Sequence, residues 1–102
     1  MQRDIFQAIA DPTRREIIDL LSDQAMPVKE VADNFDISRP AISKHLKILD
    51  ECGLMVIRKK GRKRFYRSNP RRLREVAEWT AQYQKFWNQN LDALEKLLKE
   101  ET

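Results

Sequence analysis

This chain of 102 residues contains few cysteine, glycine and proline residues and no long apolar run, and each scarcity excludes a class of structure. A single cysteine excludes an internal disulfide. Two glycines and four prolines leave room only for short loops and favour helix. No run approaches the roughly 18 apolar residues of a membrane span, and the start of the chain lacks the apolar core of a signal peptide. We therefore expect one domain over residues 1–102, in the cytoplasm and without membrane insertion.

The patterns that support catalysis are also missing. No nucleophile lies in a recognisable pattern with a base, and no pair of carboxylates stands in an apolar stretch. The sequence KGRK at 60–63 places a glycine among cations but lacks the spacing of a phosphate-binding loop. We expect no enzyme, no catalytic residue and no cofactor.

Positive charge is abundant, and it is concentrated in one segment. The net charge is +4, but residues 37–74 carry 13 Lys or Arg against two acidic residues, a balance of +11. The other 64 residues carry 7 basic and 14 acidic groups, a balance of −7. Charges on an ordinary solvated surface would be mixed along the chain. This segregation is typical of proteins that bind a polyanion such as nucleic acid.

Start and stop signals predict four helices in the first half of the chain. A short first helix precedes Asp11-Pro12, an N-cap followed by proline at the first position of the second helix. A third helix is predicted over 28–35 and a fourth over 38–51, where Ser38 is the N-cap. The predicted fold is mainly α with a two-stranded β-hairpin, which follows these helices.

The third and fourth helices predict a helix-turn-helix. In this arrangement Ala32 lies where the helices approach, and Ile37 and Ile42 fill the corner between them. At about 100° per residue, Leu46 and Leu49 point inward with Ile42. The second helix of such a motif meets DNA through its outward side chains. The outward residues predicted to bind DNA are Arg39, Pro40, Ser43, Lys44 and Lys47.

Residues 54–68 predict a basic β-hairpin with Gly61 in its turn. Seven of the ten residues 58–67 are Lys or Arg, interleaved with Phe65 and Tyr66. Alternation along each strand would bury one side and leave the tip exposed. A basic hairpin directly after the second helix of the motif predicts a winged helix-turn-helix, whose tip reaches phosphates or the adjacent minor groove. The tip residues predicted to bind DNA are Lys60, Arg62 and Lys63.

Residues 70–100 predict a long last helix with one apolar face. Positions 76, 87 and 98 repeat by eleven, which keeps the apolar face straight along the helix. A helix of this length spans about 45 Å, more than a single winged domain needs. An apolar, aromatic-rich face longer than the core of one domain requires favours a subunit interface. The alternative is that this face packs against the rest of its own chain. The predicted homodimer interface consists of Phe6, Trp79, Tyr83, Phe86, Trp87, Leu91 and Leu94.

The segments DPTRREIIDLL (11–21) and ISRPAISKHLKILDECGLMVIRKKGRKRFYRSN (37–69) resemble the ArsR-type winged-helix repressors, and the tail EWTAQYQKFWNQNLDALEKLL resembles a branch of that family that does not sense metal. The resemblance implies a bacterial dimeric repressor that binds double-stranded DNA, with Arg39, Ser43 and Lys44 at the operator. Such a protein would occlude a promoter at an inverted repeat. Relief by an unidentified small molecule or protein effector stays open, as does a winged helix that binds RNA or protein.

Metal sensing is not expected. Metal-sensing members of the family carry a Cys-x-Cys-type box before the turn or His and acidic ligands on the last helix, and the corresponding stretches contain neither Cys nor His. Cys52 and His45 cannot supply the four nitrogen or sulfur ligands of a zinc site. Cys52 is predicted to be half-buried at a helix end rather than a redox switch, and His45 to be packed and hydrogen-bonded. Arg14 and Arg15 are predicted to pair with local acids rather than with DNA.

Overall fold

The computed structural model describes residues 4–101, so residues 1–3 and 102, at the ends of the predicted domain, lie outside the described residues. The described chain runs α1 (Ile5–Ala10), α2 (Pro12–Asp23), α3 (Val28–Ala32), α4 (Arg39–Glu51), β1 (Met55–Lys60), β2 (Lys63–Ser68) and α5 (Pro70–Glu100). The strands pair antiparallel in a two-stranded sheet. The predicted mainly helical fold with one hairpin is confirmed. A first compact unit extends to Arg72, and a second begins at Leu73.

Side-chain caps begin the helices where the sequence predicts them. The Asp11 carboxylate accepts a hydrogen bond from the Arg14 backbone N–H at 3.1 Å, with proline at the first position of α2. The Ser38 hydroxyl oxygen accepts one from the Ala41 N–H at 3.3 Å at the start of α4. Each cap supplies an acceptor to a backbone N–H that has no partner within its helix.

The end of α4 is a Schellman motif. The Gly53 N–H donates to the Asp50 carbonyl at 2.9 Å, and the Leu54 N–H donates to the Leu49 carbonyl at 2.9 Å. Gly53 has a φ of +76°, a conformation that glycine adopts without a steric penalty. Leu54 is fully buried next to this turn. The motif therefore fixes the direction in which the chain leaves α4 for β1.

The core of the first unit is formed by one apolar face from each of several elements. In α4 the buried residues are Ile42, Leu46 and Leu49, as predicted from their spacing. Their partners in the core include buried residues of α1, α2, α3, β1 and the turn that precedes β1. These residues are Ile5, Ala8, Ile17, Ile18, Leu21, Val31, Leu54 and Met55.

The turn before α4 is longer than predicted. Helix α3 ends at Ala32 and not at Phe35, because tight i→i+3 bonds replace the helical pattern from Asn34 onward. The Asn34 side-chain amide donates to the Glu30 carbonyl at 2.8 Å, a local alternative to helix that Asn readily adopts. The prediction that Ile37 fills the corner is wrong, since this residue is 39% exposed.

The hairpin is fixed at its base and exposed at its tip. Its register pairs Met55 with Ser68 at the base and Lys60 with Lys63 at the tip. The buried Ser68 hydroxyl donates to the Ile18 carbonyl of α2 at 2.7 Å. Both strands are buried at the base of the hairpin and exposed at its tip, with an intermediate pair of residues in each, so the predicted alternation between faces is wrong. Only the base of this short hairpin reaches the core.

A short backbone bridge outside the hairpin adds to this anchor. The Met26 N–H donates to the Tyr66 carbonyl at 3.0 Å, and the Tyr66 N–H donates to the Met26 carbonyl at 2.8 Å. Met26 is followed by Pro27, the N-cap position of α3. The bridge therefore sets the spacing between α3 and β2.

Helix α5 has an exposed apolar face and no buried residue. The Trp79 and Tyr83 rings lie on this face with their centroids 4.6 Å apart. The large exposed apolar side chains of the helix are Trp79, Tyr83, Phe86, Trp87, Leu91, Leu94, Leu97 and Leu98. Within residues 4–101, none of the helices combines the length and apolar character that crossing a membrane requires.

Candidate nucleic-acid interface

The outward face of α4 is polar, basic and exposed along its whole length. Its inward residues are fully buried, so a large rotation of the helix would expose them to water. The five residues predicted to bind DNA are all exposed: Arg39, Pro40, Ser43, Lys44 and Lys47. Arg39 is the first residue of the helix, and Lys44 and Lys47 lie one and two turns further on. The structure thus presents on one surface the side chains that the sequence pattern selects.

The hairpin tip is a two-residue turn formed by Gly61 and Arg62. Gly61 has a φ of +66°, and the described residues other than glycine have no positive φ, which matches the glycine-first pattern of a type II′ turn. The three predicted tip residues, Lys60, Arg62 and Lys63, are exposed. Because the turn is tight, it holds these three cations close together at the end of the wing.

A groove of about 580 Å³ joins the two predicted contact regions. Its walls are α3 with its preceding proline, the first residue of α4, and β2 with the hairpin turn. Five cations and two carboxylates line it: Lys29, Arg39, Arg62, Lys63 and Arg64, with Glu30 and Asp33. The groove therefore has a net positive lining suited to a polyanion.

The groove brings Arg39 of the helix-turn-helix next to Arg62 and Lys63 of the wing. Lys44 and Lys47 do not line it and face outward further along α4. Lys29 and Arg64 also line the groove, although the sequence pattern does not select them. Lys29 lies outside the basic segment 37–74, and only the position of α3 beside β2 reveals it. Arg64 was visible in the basic run, but its side of the strand could not be chosen without the register.

His45 lies at the edge of the buried face of α4, partly buried, and its Nδ1 is 3.4 Å from a terminal nitrogen of Arg14. The prediction of a packed, hydrogen-bonded histidine is confirmed. The predicted pairing with a local acid is confirmed for Arg14, which forms an ion pair with Asp11, whereas the described residues show no such pair for Arg15. Their hydrogen bonds go to backbone carbonyls of α1. The nearest acid is Asp11, 3.9 Å from Arg14.

The surroundings of the Asp11 carboxylate, beside Arg14, lower its pKa from the ordinary value. Partial burial raises the pKa of Asp11, but the hydrogen bond from the Arg14 backbone N–H and the positive charge of the Arg14 guanidinium lower it more. The net direction is downward. Asp11 therefore stays ionised beside Arg14 in the pH range where proteins of this kind are assayed.

Residues 11–55 match the family model described as "Bacterial regulatory protein, arsR family". The match runs from the N-cap of α2 to the start of β1. The chain is also 40% identical over 75 residues to the transcriptional repressor SdpR of Bacillus subtilis. That match covers 74% of this chain and 83% of SdpR. The chain belongs to the ArsR family of bacterial regulatory proteins.

Solved structures of ArsR-type proteins share the fold. An ArsR-like transcriptional regulator from Rhodococcus sp. RHA1 superposes with a TM-score of 0.72 at 32% identity, covering 91% of this chain and 88% of that one. The homodimeric winged helix-turn-helix DNA-binding domain Mb0332 of Mycobacterium bovis, described as a possible ArsR-family transcriptional regulator, superposes with a TM-score of 0.62 at 26% identity. That alignment covers 81% of this chain and 74% of that one. The predicted winged helix-turn-helix is confirmed.

Family membership bears on two further predictions. ArsR proteins are regulatory proteins, so the prediction that this ArsR-family chain is not an enzyme is confirmed. The assignment to a branch that does not sense metal stays a prediction. In the described part of the chain, no group of three or more His, Cys, Asp or Glu side chains is placed to hold a metal ion. Cys52 is buried rather than half-buried, at the C-cap of α4.

Proposed function

We propose that this ArsR-family protein is a transcriptional repressor that binds an inverted-repeat operator as a homodimer and occludes the promoter. Repression is the function named for the relative SdpR, and Mb0332 is a homodimeric DNA-binding domain of the same fold. A two-fold dimer requires an inverted repeat whose half-site centres lie about 34–36 Å, or a multiple of this, apart. The effector that relieves repression stays unidentified.

The observation that carries the proposal is the exposed basic face of α4 together with the net positive groove that Arg39 shares with Arg62 and Lys63 of the wing. Arg39 and Lys44 lie on the first exposed turns of α4, where side chains reach base edges in a major groove. A bidentate contact from one of them to guanine would contribute roughly 1–3 kcal/mol of discrimination. We therefore assign sequence reading to Arg39 and Lys44, with Pro40, Ser43 and Lys47 as their neighbours on the contact surface.

The wing tip and the groove are assigned to the DNA backbone. Lys60, Arg62 and Lys63 stand on a tight turn with no apolar side chain between them. Charges in such a position attract phosphates without reading sequence. Lys29 and Arg64 face the same groove and would add to this contact. Each phosphate contact makes the slope of log K against log salt more negative by about 0.9. A dimer carries every wing residue twice, so each such contact counts twice.

The dimer interface is assigned to the exposed apolar face of α5, together with Phe6 of α1, which is 39% exposed. The members of this surface on α5 span roughly 140° at the pitch of an α-helix. Burial of such a face in a second copy removes a large apolar surface from water. Leu97 extends the predicted set, since it is exposed at a spacing of three from Leu94.

The test begins with selection of bound fragments from random duplex DNA, which gives an operator. The wild type and single variants are then titrated against operator and scrambled duplex at several salt concentrations. We expect Arg39→Ala and Lys44→Ala to relax preference at particular half-site positions. Lys60→Gln and Lys63→Gln should weaken both duplexes alike and flatten the salt slope.

The control is Lys85→Gln, which removes the same charge from the polar side of α5 and should change neither quantity. Competition by single-stranded and double-stranded RNA tests the other partner class. If RNA displaced the operator duplex at equal concentration, the protein would not be a dedicated DNA-binding repressor. If the wing variants changed sequence preference while Arg39→Ala and Lys44→Ala changed only the salt slope, the two assigned roles would be reversed.

A further inference from the structure

Arg14 and Arg15, in the first turn of α2, both donate hydrogen bonds to backbone carbonyls at the end of α1. A helix leaves its last four carbonyls without partners inside the helix, and in α1 these belong to residues 7–10. Arg14 donates from Nε to the Ala8 carbonyl at 2.7 Å and from a terminal nitrogen to the Gln7 carbonyl at 3.1 Å. Arg15 donates to the carbonyls of residues 9 and 10 at 2.9 and 3.0 Å. Together the two guanidinium groups satisfy all four carbonyls at the negative end of α1.

Arg14 differs from Arg15 because it also reaches α4. Its remaining terminal nitrogen, NH1, lies 3.4 Å from Nδ1 of His45. A guanidinium has donors only, so the contact is a hydrogen bond with Nδ1 as acceptor when the imidazole is neutral and carries its proton on Nε2. The three nitrogens of one side chain thus bind two carbonyls of α1 and one side chain of the helix that faces DNA. The hydrogen bonds that the Arg15 guanidinium donates to described residues both end on α1.

His45 is well placed to control the orientation of α4. It directly follows Lys44 and lies between the buried Ile42 and Leu46 face and the exposed face. Burial of aliphatic side chains is non-directional, so it holds α4 against the core without fixing a small rotation about its axis. A hydrogen bond at the edge of the buried face is directional and does fix this rotation. Base reading requires side chains held within about 0.5 Å and 10–20°.

We propose that Arg14 is a positioning residue for operator recognition, which holds the DNA-facing helix α4 in register with the α1–α2 corner through His45. The inference rests on the proposed DNA-binding function and extends it to a residue that touches no DNA. Lysine cannot replace Arg14 in this role, because one ammonium cannot reach three acceptors in a planar fork. Asp11 supports the arrangement, because its carboxylate accepts from the Arg14 N–H and stands 3.9 Å from the guanidinium.

The first test compares Arg14→Lys with its matched control Arg15→Lys. Both changes keep the charge and disturb the carbonyls of α1, but only the first removes the contact with α4. The readout is the ratio of affinities for operator and scrambled duplex, with the salt slope and the thermal midpoint measured on the same samples. We expect Arg14→Lys to lower the ratio about tenfold, the size of one lost base contact, with an unchanged salt slope. Arg15→Lys should keep the wild-type ratio even where its thermal midpoint falls.

The second test asks for rescue by an acceptor. Asn places an oxygen near the position of Nδ1, whereas Leu has the same shape as Asn and offers no acceptor. His45→Asn should therefore retain most of the discrimination, and His45→Leu should lose as much as Arg14→Lys. In the double variant with Arg14→Lys, His45→Leu should add no further loss, because both changes remove the same bond.

Several results would overturn the inference. Equal losses of discrimination in Arg14→Lys and Arg15→Lys, in proportion to their thermal midpoints, would make Arg14 a stability residue only. A flatter salt slope in Arg14→Lys would show that Arg14 contacts phosphate itself. Equal discrimination by His45→Asn and His45→Leu would exclude the hydrogen bond as the cause. If the wild type did not prefer its selected operator over scrambled duplex, the proposed function itself would fail, which is a separate outcome.

Discussion

Introducing two carboxylates on the apolar face of α5 should convert the protein to a monomer. The perturbation is the double variant Trp87→Asp with Leu94→Asp. Trp87 is 60% exposed in the single chain, and burying that fraction of a side chain of about 250 Å² would contribute up to about 4 kcal/mol. Leu94 is 53% exposed, and burial of that fraction would contribute about 1 kcal/mol. With two copies per dimer and only half of this area buried, the loss is still about 5 kcal/mol, more than a thousandfold in the dissociation constant.

Sedimentation equilibrium across a range of protein concentrations measures this effect directly. The control is Ala81→Asp with Asn88→Asp, two exposed positions with the same spacing on the side of α5 away from this face, which adds the same charge and should leave the dimer intact. Operator affinity should fall with dimerisation in the first variant and stay unchanged in the control. A double variant of Trp87 and Leu94 that still sediments as a dimer would refute the assignment of the interface to this face. A monomer with full operator affinity would refute the need for a dimer.

Three further predictions concern metal, the wing and acid stability. Adding or chelating Zn²⁺ should change operator affinity less than about threefold, and tight stoichiometric zinc in the purified protein would contradict this. Gly61→Ala should lower the free energy of unfolding by about 1 kcal/mol in urea titrations through backbone strain alone, since no atom lies within 4 Å of the added Cβ. The lowered pKa of Asp11 means that its contribution is complete above its ordinary value of 3.8 and is lost as pH falls below that value. Asp11→Asn should therefore show a smaller loss of stability than the wild type between about pH 4 and pH 2.

The elements that the sequence predicts well are those with local signals. The start of α2 at Pro12, the cap at Ser38 and the glycine turn after α4 each depend on a few neighbouring residues. The inward face of α4 follows from its spacing alone. Helix α3 was predicted three residues too long, because apolar spacing continues to Phe35 while Asn34 turns the backbone out of the helix.

Contacts between segments that are distant in the chain could not be predicted from the sequence. The Met26–Tyr66 bridge joins residues forty positions apart, and it forms the groove that contains Lys29. The backbone carbonyls that bind Arg14 and Arg15 could not be predicted, because charge is visible in a sequence and an unpaired helix carbonyl is not. The burial of the hairpin depends on how much of it the core can reach, which strand alternation alone does not determine.

The apolar face of α5 has a consequence for gene dosage. When the operator-binding species is a dimer and most chains are monomers, the concentration of the dimer varies with the square of the monomer concentration. Halving expression would then reduce repression more than twofold. A chain that keeps this face but carries a damaged α4 would pair with intact chains and inactivate them. Such alleles would be dominant over the wild type, whereas alleles that also lose Trp87 would be recessive. The position of a loss-of-function change along the chain would thus decide its inheritance in a merodiploid.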